Sequence, residues 1–237
     1  MIRVELAGAS VMFSTRAGGV SQGPYESLNL GILTEDAPDR VARNRSILAL
    51  EAGLEPANVA MGWQVHGAEL REWDGPPDDG GYAAPGANLP RVDGHLTASR
   101  GTGLLVLVAD CLPVALAGGG RVAMLHCGWR GLAGGILERA LERFDAPAAA
   151  AIGPGIGPCC YEVGEEVLSA FSDVEGAARG RMLDLRAVTR AKLEAAGAHV
   201  VEDVELCTSC RSDLFFSHRR DRGVTGRQAG LAWIPAA

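Results

Sequence analysis

The stretch Gly101–Gly131, GTGLLVLVADCLPVALAGGGRVAMLHCGWRG, decides the reading of the fold. An unbroken apolar run, Leu104 to Ala109, meets Asp110 and Cys111, with Pro113 just beyond. A second run, Val122 to Leu125, stops as abruptly in His126 and Cys127. Short apolar runs of this length between turn residues read as core strands. Both strands therefore end on residues with metal or nucleophile chemistry. Simple packing explains that too, because cysteine is often buried and a polar strand end is where solvent begins.

Outward from this stretch, the chain reads as short strands and helices. MIRVELAGASVMFSTRAGGVSQGPYESLNLG, residues 1–31, reads as short strands followed by a long glycine-rich loop, and Asp36 to Gly53 reads as a helix. Asp36 or Asp39 is positioned to cap that helix, and Gly53 to stop it. Asn58 to Trp73 alternates like a strand, with Gln64 and His66 on one side. Asp74 to Pro90 is rich in Pro, Gly and Asp and reads as a surface loop. Gly128 and Gly131 precede an amphipathic helix running to about Phe144. Then come a strand over the alanines near 150, a glycine-proline turn, a helix, a second helix over Asp184 to Ala196, a strand at AHVVEDV, and a basic tail.

The chain has 237 residues, 47% hydrophobic and 22% charged, which favours one α/β or α+β body over disorder. Its apolar runs are strand-sized, too short for a membrane span. MIRVELAGAS lacks a basic region followed by an apolar core, so no signal peptide is expected and the cytoplasm is the expected location. A formal charge of −7 argues against non-specific nucleic-acid binding, although the basic Cys210–Arg227 tail is suited to holding an anion. Six cysteines, two of them adjacent and none accompanied by a secretion signal, suit a reduced chain.

Five histidines are present: His66, His95, His126, His199 and His218. His66, Cys111 and His126 each follow a strand-like run, and the three converge if those strands are neighbours. Two imidazoles and a thiolate suit zinc and leave a fourth position open. The same residues admit a metal-free alternative, in which Cys111 is a nucleophile, His126 or His66 its base, and Asp110 or Asp93 the orienting group. CTSC (Cys207–Cys210) lacks a thioredoxin-like context. A structural zinc there needs Cys159 and Cys160, and adjacent cysteines chelate one tetrahedral ion poorly, so that reading is disfavoured. GPGIGPCC (Gly153–Cys160), between a strand and a helix, is placed to present amides to a phosphate but lacks the Lys-Ser/Thr of a P-loop. Arg16 offers a planar charge to an anion, Arg45 lies on the helix with its solvated face as the simpler role, and Trp129 with Arg130 is placed to wall a pocket.

Taken together, FSTRAGGVSQGPYESLNLG, NR, QVHG, VDGHLT, ADCLPV, HCGWRGLAGGI, IGPGIGPCCYEVG and the CTSC-to-RQAG tail resemble the YfiH/YlmD-like family. That family has also been called laccase-domain, multicopper polyphenol oxidoreductase and peptidoglycan editing factor. The resemblance runs from about Met12 to the C-terminus, and we read residues 1–237 as one such domain. It implies an α+β layered sandwich with mixed sheets and a metal-dependent purine nucleoside phosphorylase that also deaminates adenosine. Inosine, guanosine, adenosine and methylthioadenosine, with phosphate, are the implied partners; a membrane and nucleic acid are not, and the implied state is a monomer. The family's metal ligands fall on His66, Cys111 and His126, which also become the implied catalytic residues. Gln64, Arg16, Arg45 and Arg130 are candidates for substrate or phosphate. Gly94 and Cys127 stand where alanine is usual, and neither is a ligand. Zn²⁺ is the implied cofactor, with Cu²⁺ loading plausible in vitro because such ligands favour copper on raw affinity. Five histidines cannot furnish a blue-copper centre and a second copper cluster together, which excludes a multicopper oxidase. The competing readings are a cysteine hydrolase editing peptidoglycan precursors, using Cys111 with a histidine, and a non-catalytic metal-binding protein.

Overall fold

In the computed structural model, which describes residues 1–78, 81–82 and 89–236, the opening stretch becomes three strands shared between two sheets. The first strand, β6 (Gly103–Val108), belongs to a sheet with β1 (Ile2–Leu6), β2 (Ala9–Phe13), β3 (Val59–Ala60) and β13 (Gln228–Trp233). The order is β1-β2-β13-β6-β3. The second sheet contains β4 (Leu70–Trp73), β5 (Gly94–Thr97), β7 (Leu112–Gly118), β8 (Arg121–Cys127), β9 (Ala149–Ile152) and β12 (His199–Asp203). Its order is β12-β9-β7-β8-β5-β4. Both sheets are mixed: β3 runs parallel to β6, β4 to β5 and β12 to β9, and the other pairs are antiparallel. A small hairpin, β10 (Ala178–Arg179) and β11 (Met182–Leu183), stands apart.

Strand alternation explains why these runs are apolar throughout. Leu104, Val106 and Val108 of β6 meet Ala115, Ala117, Val122 and Met124 of the facing sheet. Leu112, Val114 and Leu116 of β7, with Ala123, Leu125 and Cys127 of β8, point the other way. They pack under α3 (Ile136–Leu141) and α5 (Leu185–Ala195), through Ile136, Leu137, Val188 and Leu193. The outer face of the first sheet, Met12, Leu105 and Leu231, is covered by Leu48 and Ala49 of α1 (Pro38–Ala52). Each fully buried aliphatic side chain contributes about 1.5–3 kcal/mol. The result is the expected α+β layered sandwich, and β6, β7 and β8 are apolar on both sides because both sides are covered.

Several local expectations are corrected. Neither Asp36 nor Asp39 caps α1: the N-cap is Ala37, Pro38 starts the helix, and Asp36 instead accepts from Ser21 Oγ and Asn29 Nδ2. Gly53 does end it, at φ 69°. Asn58–Trp73 is not one strand; only Val59–Ala60 and Leu70–Trp73 pair, and the irregular backbone between them carries Gln64 and His66. The helix after Gly128 is two short pieces, α2 (Trp129–Ala133) and α3, broken at Gly135 with φ 81°. The turn after β9 does not lead straight into a helix, since α4 (Glu165–Ser169) begins well past Cys160. Asp184 caps α5 by accepting from the Arg186 and Ala187 amides. The Asp74–Pro90 loop lies partly outside the described residues, and its described Tyr82 and Leu89 are buried rather than on the surface.

Candidate metal centre and pocket

The chain crosses from one sheet to the other between β6 and β7, at Ala109–Cys111, which places Cys111 on the rim of the sandwich. Asp110 holds this turn with φ 94°, a conformation that costs a non-glycine residue energy unless its surroundings fix it. Those fixings are present. The Asp110 carboxylate accepts from Thr208 Oγ1 and from the Arg219 amide, each at 2.7 Å, and its carbonyl accepts from the Ile156 amide at 2.8 Å. Across the rim, His126 shares the inter-sheet face of β8 with Val122 and Met124, while Cys127 points into the core beneath the helices. Alternation separates two residues that look equivalent in sequence.

His66 reaches the same point from the irregular segment before β4, with φ 59°. The fully buried carboxylate of Asp93 binds the segment, accepting from the amides of Val65, His66 and Gly67 at 3.0, 2.9 and 2.8 Å. The same carboxylate lies 2.7 Å from His126 Nδ1. One aspartate therefore sets both histidines. The ligand atoms of His66, Cys111 and His126 lie within 4.8 Å of one another.

Burial alone would raise the Cys111 thiol, but His126 and His66 outweigh it and bring it down to about 6. At His126 burial works downward, and the Cys111 thiolate with Asp93 outweighs it, pushing the imidazole up to about 9. Backbone room matches this chemistry. A Cβ at Gly128 would meet Cys111 Sγ at 3.0 Å and His66 Cδ2 at 3.4 Å, so only glycine leaves the approach to the three donors open. Two imidazoles, one ionised thiolate and a carboxylate holding Nδ1 of a histidine form a donor set suited to a zinc-like cation.

The three donors open into a pocket of about 530 Å³. Trp63, Trp129 and Tyr161 give it flat apolar walls, and Arg130, Arg219 and Arg227 give it cationic ones. Arg130 stacks on Trp129, and Arg219 on Tyr161. Gln64 also lines it, but its carboxamide is occupied, donating to the Leu107 carbonyl and accepting from the Leu107 amide, each at 2.8 Å. Arg16 and Arg45 are not among the described residues that line it. Arg16 donates to the carbonyls of Glu26 and Ser212 and lies over Phe216. Arg45, far from facing solvent, is 1% exposed and donates to the carbonyls of Leu30 and Tyr82. Both arginines are held by backbone oxygens and lie outside the pocket lining in which they were expected to meet phosphate. In the glycine-proline turn, a Cβ at Gly155 would meet Leu112 Cδ2 at 2.4 Å, so its glycines answer a packing need rather than a phosphate cradle.

Residues 10–235 match the family described as multi-copper polyphenol oxidoreductase laccase. Among curated relatives, purine nucleoside phosphorylase SCO2081 of Streptomyces coelicolor is 41% identical, covering 96% of each chain. The chain belongs to the YfiH/YlmD family. Purine nucleoside phosphorylase YfiH of Escherichia coli is 38% identical over 96% of this chain and 94% of its own. The crystal structure of YlmD from Geobacillus stearothermophilus superposes with a TM-score of 0.89 at 34% identity, covering 97% of this chain and 93% of that one. The family's oxidoreductase label finds no second histidine cluster here. Among the described residues, His95 is buried against Trp73, His199 is exposed on β12, and neither joins the His66, Cys111 and His126 group. No helix among the described residues is long and apolar enough to cross a membrane.

The sequence alone places Arg219 and Arg227 only within a basic tail suited to an anion, not as individual pocket residues. It also offered Asp93 only as one of two orienting groups.

Proposed function

We propose that this chain is a metal-dependent purine nucleoside phosphorylase, with Zn²⁺ held by His66, Cys111 and His126, and that it also deaminates adenosine. The observation that carries the reading is the coincidence, in one pocket, of the three-donor group with flat aromatic walls and three guanidinium groups. The names of the relatives support the phosphorylase half. When bound there, such a cation supplies Lewis acidity toward an oxygen of substrate or water. Asp93 keeps a proton on His126 Nδ1, so the Nε2 proton is the one a bound cation would displace. Trp63, Trp129 and Tyr161 hold the purine by stacking and exclude water from its faces. Arg219, Arg227 and Arg130 bind and orient phosphate, whose oxygen forms a bond to C1′ as the C1′–N9 bond breaks and the base leaves with that electron pair. Ribose 1-phosphate and the free base, which takes up the proton the attacking phosphate gives up, are the products.

A cysteine hydrolase is the second reading, favoured by one observation. Cys111, His126 and Asp93 stand in the order nucleophile, base, orienting carboxylate, with the thiol already lowered. Incubation with inosine separates the two. The phosphorylase releases hypoxanthine only with phosphate and loses that activity to a chelator; a hydrolase needs neither phosphate nor metal. Ammonia release from adenosine tests the deaminase part separately.

A further inference from the structure

Outside the pocket, four cysteines that the sequence scatters over two segments come together. Cys159 and Cys160 sit in the turn after β9, and Cys207 and Cys210 in the turn after β12. Their four sulfurs lie within 4.8 Å of one another, with Cys210 Sγ 3.5 Å from both Cys159 Sγ and Cys160 Sγ. The adjacent pair, a poor chelate on sequence grounds, is presented on a tight helical turn, the Cys160 and Tyr161 amides both donating to the Gly157 carbonyl. The CxxC is presented on a second such turn, closed by Arg211 N donating to the Cys207 carbonyl.

We propose that these four thiolates form a second metal site, a structural Zn²⁺ centre separate from His66, Cys111 and His126. Four sulfurs on a tetrahedron around zinc, each at about 2.3 Å, stand about 3.8 Å apart, which is the scale of the quartet. The Gly157 amide donates to Cys207 Sγ at 3.2 Å, the kind of hydrogen bond that stabilises a thiolate. A Cβ at Gly157 would lie 3.3 Å from Cys207 Cβ and 3.4 Å from Cys159 Sγ, so glycine is what lets the two turns close on one another. Binding releases four protons and leaves a net charge of −2 on the centre. The Arg220 guanidinium, ion-paired with Asp221, donates to the carbonyls of Thr208 and Ser209 inside the CxxC turn at 2.9 and 3.3 Å and so braces that turn.

The site joins the turn that carries Ile156 and Tyr161 of the pocket wall to the CxxC turn. Thr208 lies inside the CxxC turn, and its hydroxyl and the Arg219 amide are the two donors that hold the Asp110 carboxylate. The centre thus fixes, at a distance, the turn that carries Cys111.

The test uses the full chain with Cys111→Ala, which removes the thiolate of the other group. About one zinc per chain is expected to survive exhaustive dialysis, and none in the same chain carrying Cys207→Ser and Cys210→Ser. Because the latter variant could fail to fold, the first is also read by X-ray absorption. A zinc shell of sulfur alone is expected; a shell containing imidazole nitrogen overturns the proposal. So does a zinc-free Cys111→Ala protein, or one whose non-reduced mass shows disulfides among Cys159, Cys160, Cys207 and Cys210.

Discussion

The Asp93 carboxylate lies 2.7 Å from His126 Nδ1 through Oδ1 and, through the same oxygen, accepts from the His66 amide at 2.9 Å. A single buried acid therefore sets the ring of one candidate ligand and the backbone of another. Asp93→Asn keeps the shape but loses the charge that orients Nδ1–H. Zinc affinity is expected to fall roughly 10–100-fold, read by competition with a chromophoric chelator. Unchanged affinity would mean that Asp93 serves only the backbone.

Phosphate recognition is assigned to pocket arginines. Arg219→Ala and Arg227→Ala are each expected to raise the phosphate KM about tenfold or more, the scale of a lost charged hydrogen bond. Arg16→Ala should leave that KM in place, since Arg16 does not line the pocket that Arg219 and Arg227 line. A KM that follows Arg16 and ignores Arg219 and Arg227 would relocate the anion site.

Arg45 is a stability residue. Burial lowers its guanidinium to about 10, with the charge retained at neutral pH, and it satisfies the Leu30 and Tyr82 carbonyls. Arg45→Leu leaves those oxygens buried without a partner and should cost about 3 kcal/mol in denaturant unfolding. A cost near zero would show that water or the loop can replace it.

His95 gives the fold a pH dependence of its own. It is fully buried, accepts at Nδ1 from Trp73 Nε1 at 3.1 Å, and burial brings it down to about 4. Unfolded, the ring binds a proton near 6.5, so the unfolded chain takes up more protons between those values. Its contribution is complete above pH 6.5 and is lost as pH falls toward 4, by up to about 3 kcal/mol. His95→Phe should flatten that part of the stability curve. An identical slope in both proteins would assign the acid sensitivity to carboxylates instead.

The layers were legible in sequence because Leu104–Ala109 and Val122–Leu125 are apolar on every residue, which only strands covered on both sides require. The convergence of His66, Cys111 and His126 was legible as a possibility, since each ends an apolar run. What could not be read was which contacts would claim the polar groups. Arg45 looked solvated on its helix, yet the burial of Tyr82 from a distant loop encloses it. The four outer cysteines looked ill-suited because spacing says nothing of how a turn aims two adjacent side chains. Asp93 offered only its place beside a strand, and its six hydrogen bonds with other segments arise from tertiary packing.

Hypoxanthine release from inosine, measured on chelator-stripped and zinc-reloaded protein with and without phosphate, bears most directly on the proposed function. Release is predicted only when phosphate and metal are both present. Release by the stripped protein, or release indifferent to phosphate, would contradict it.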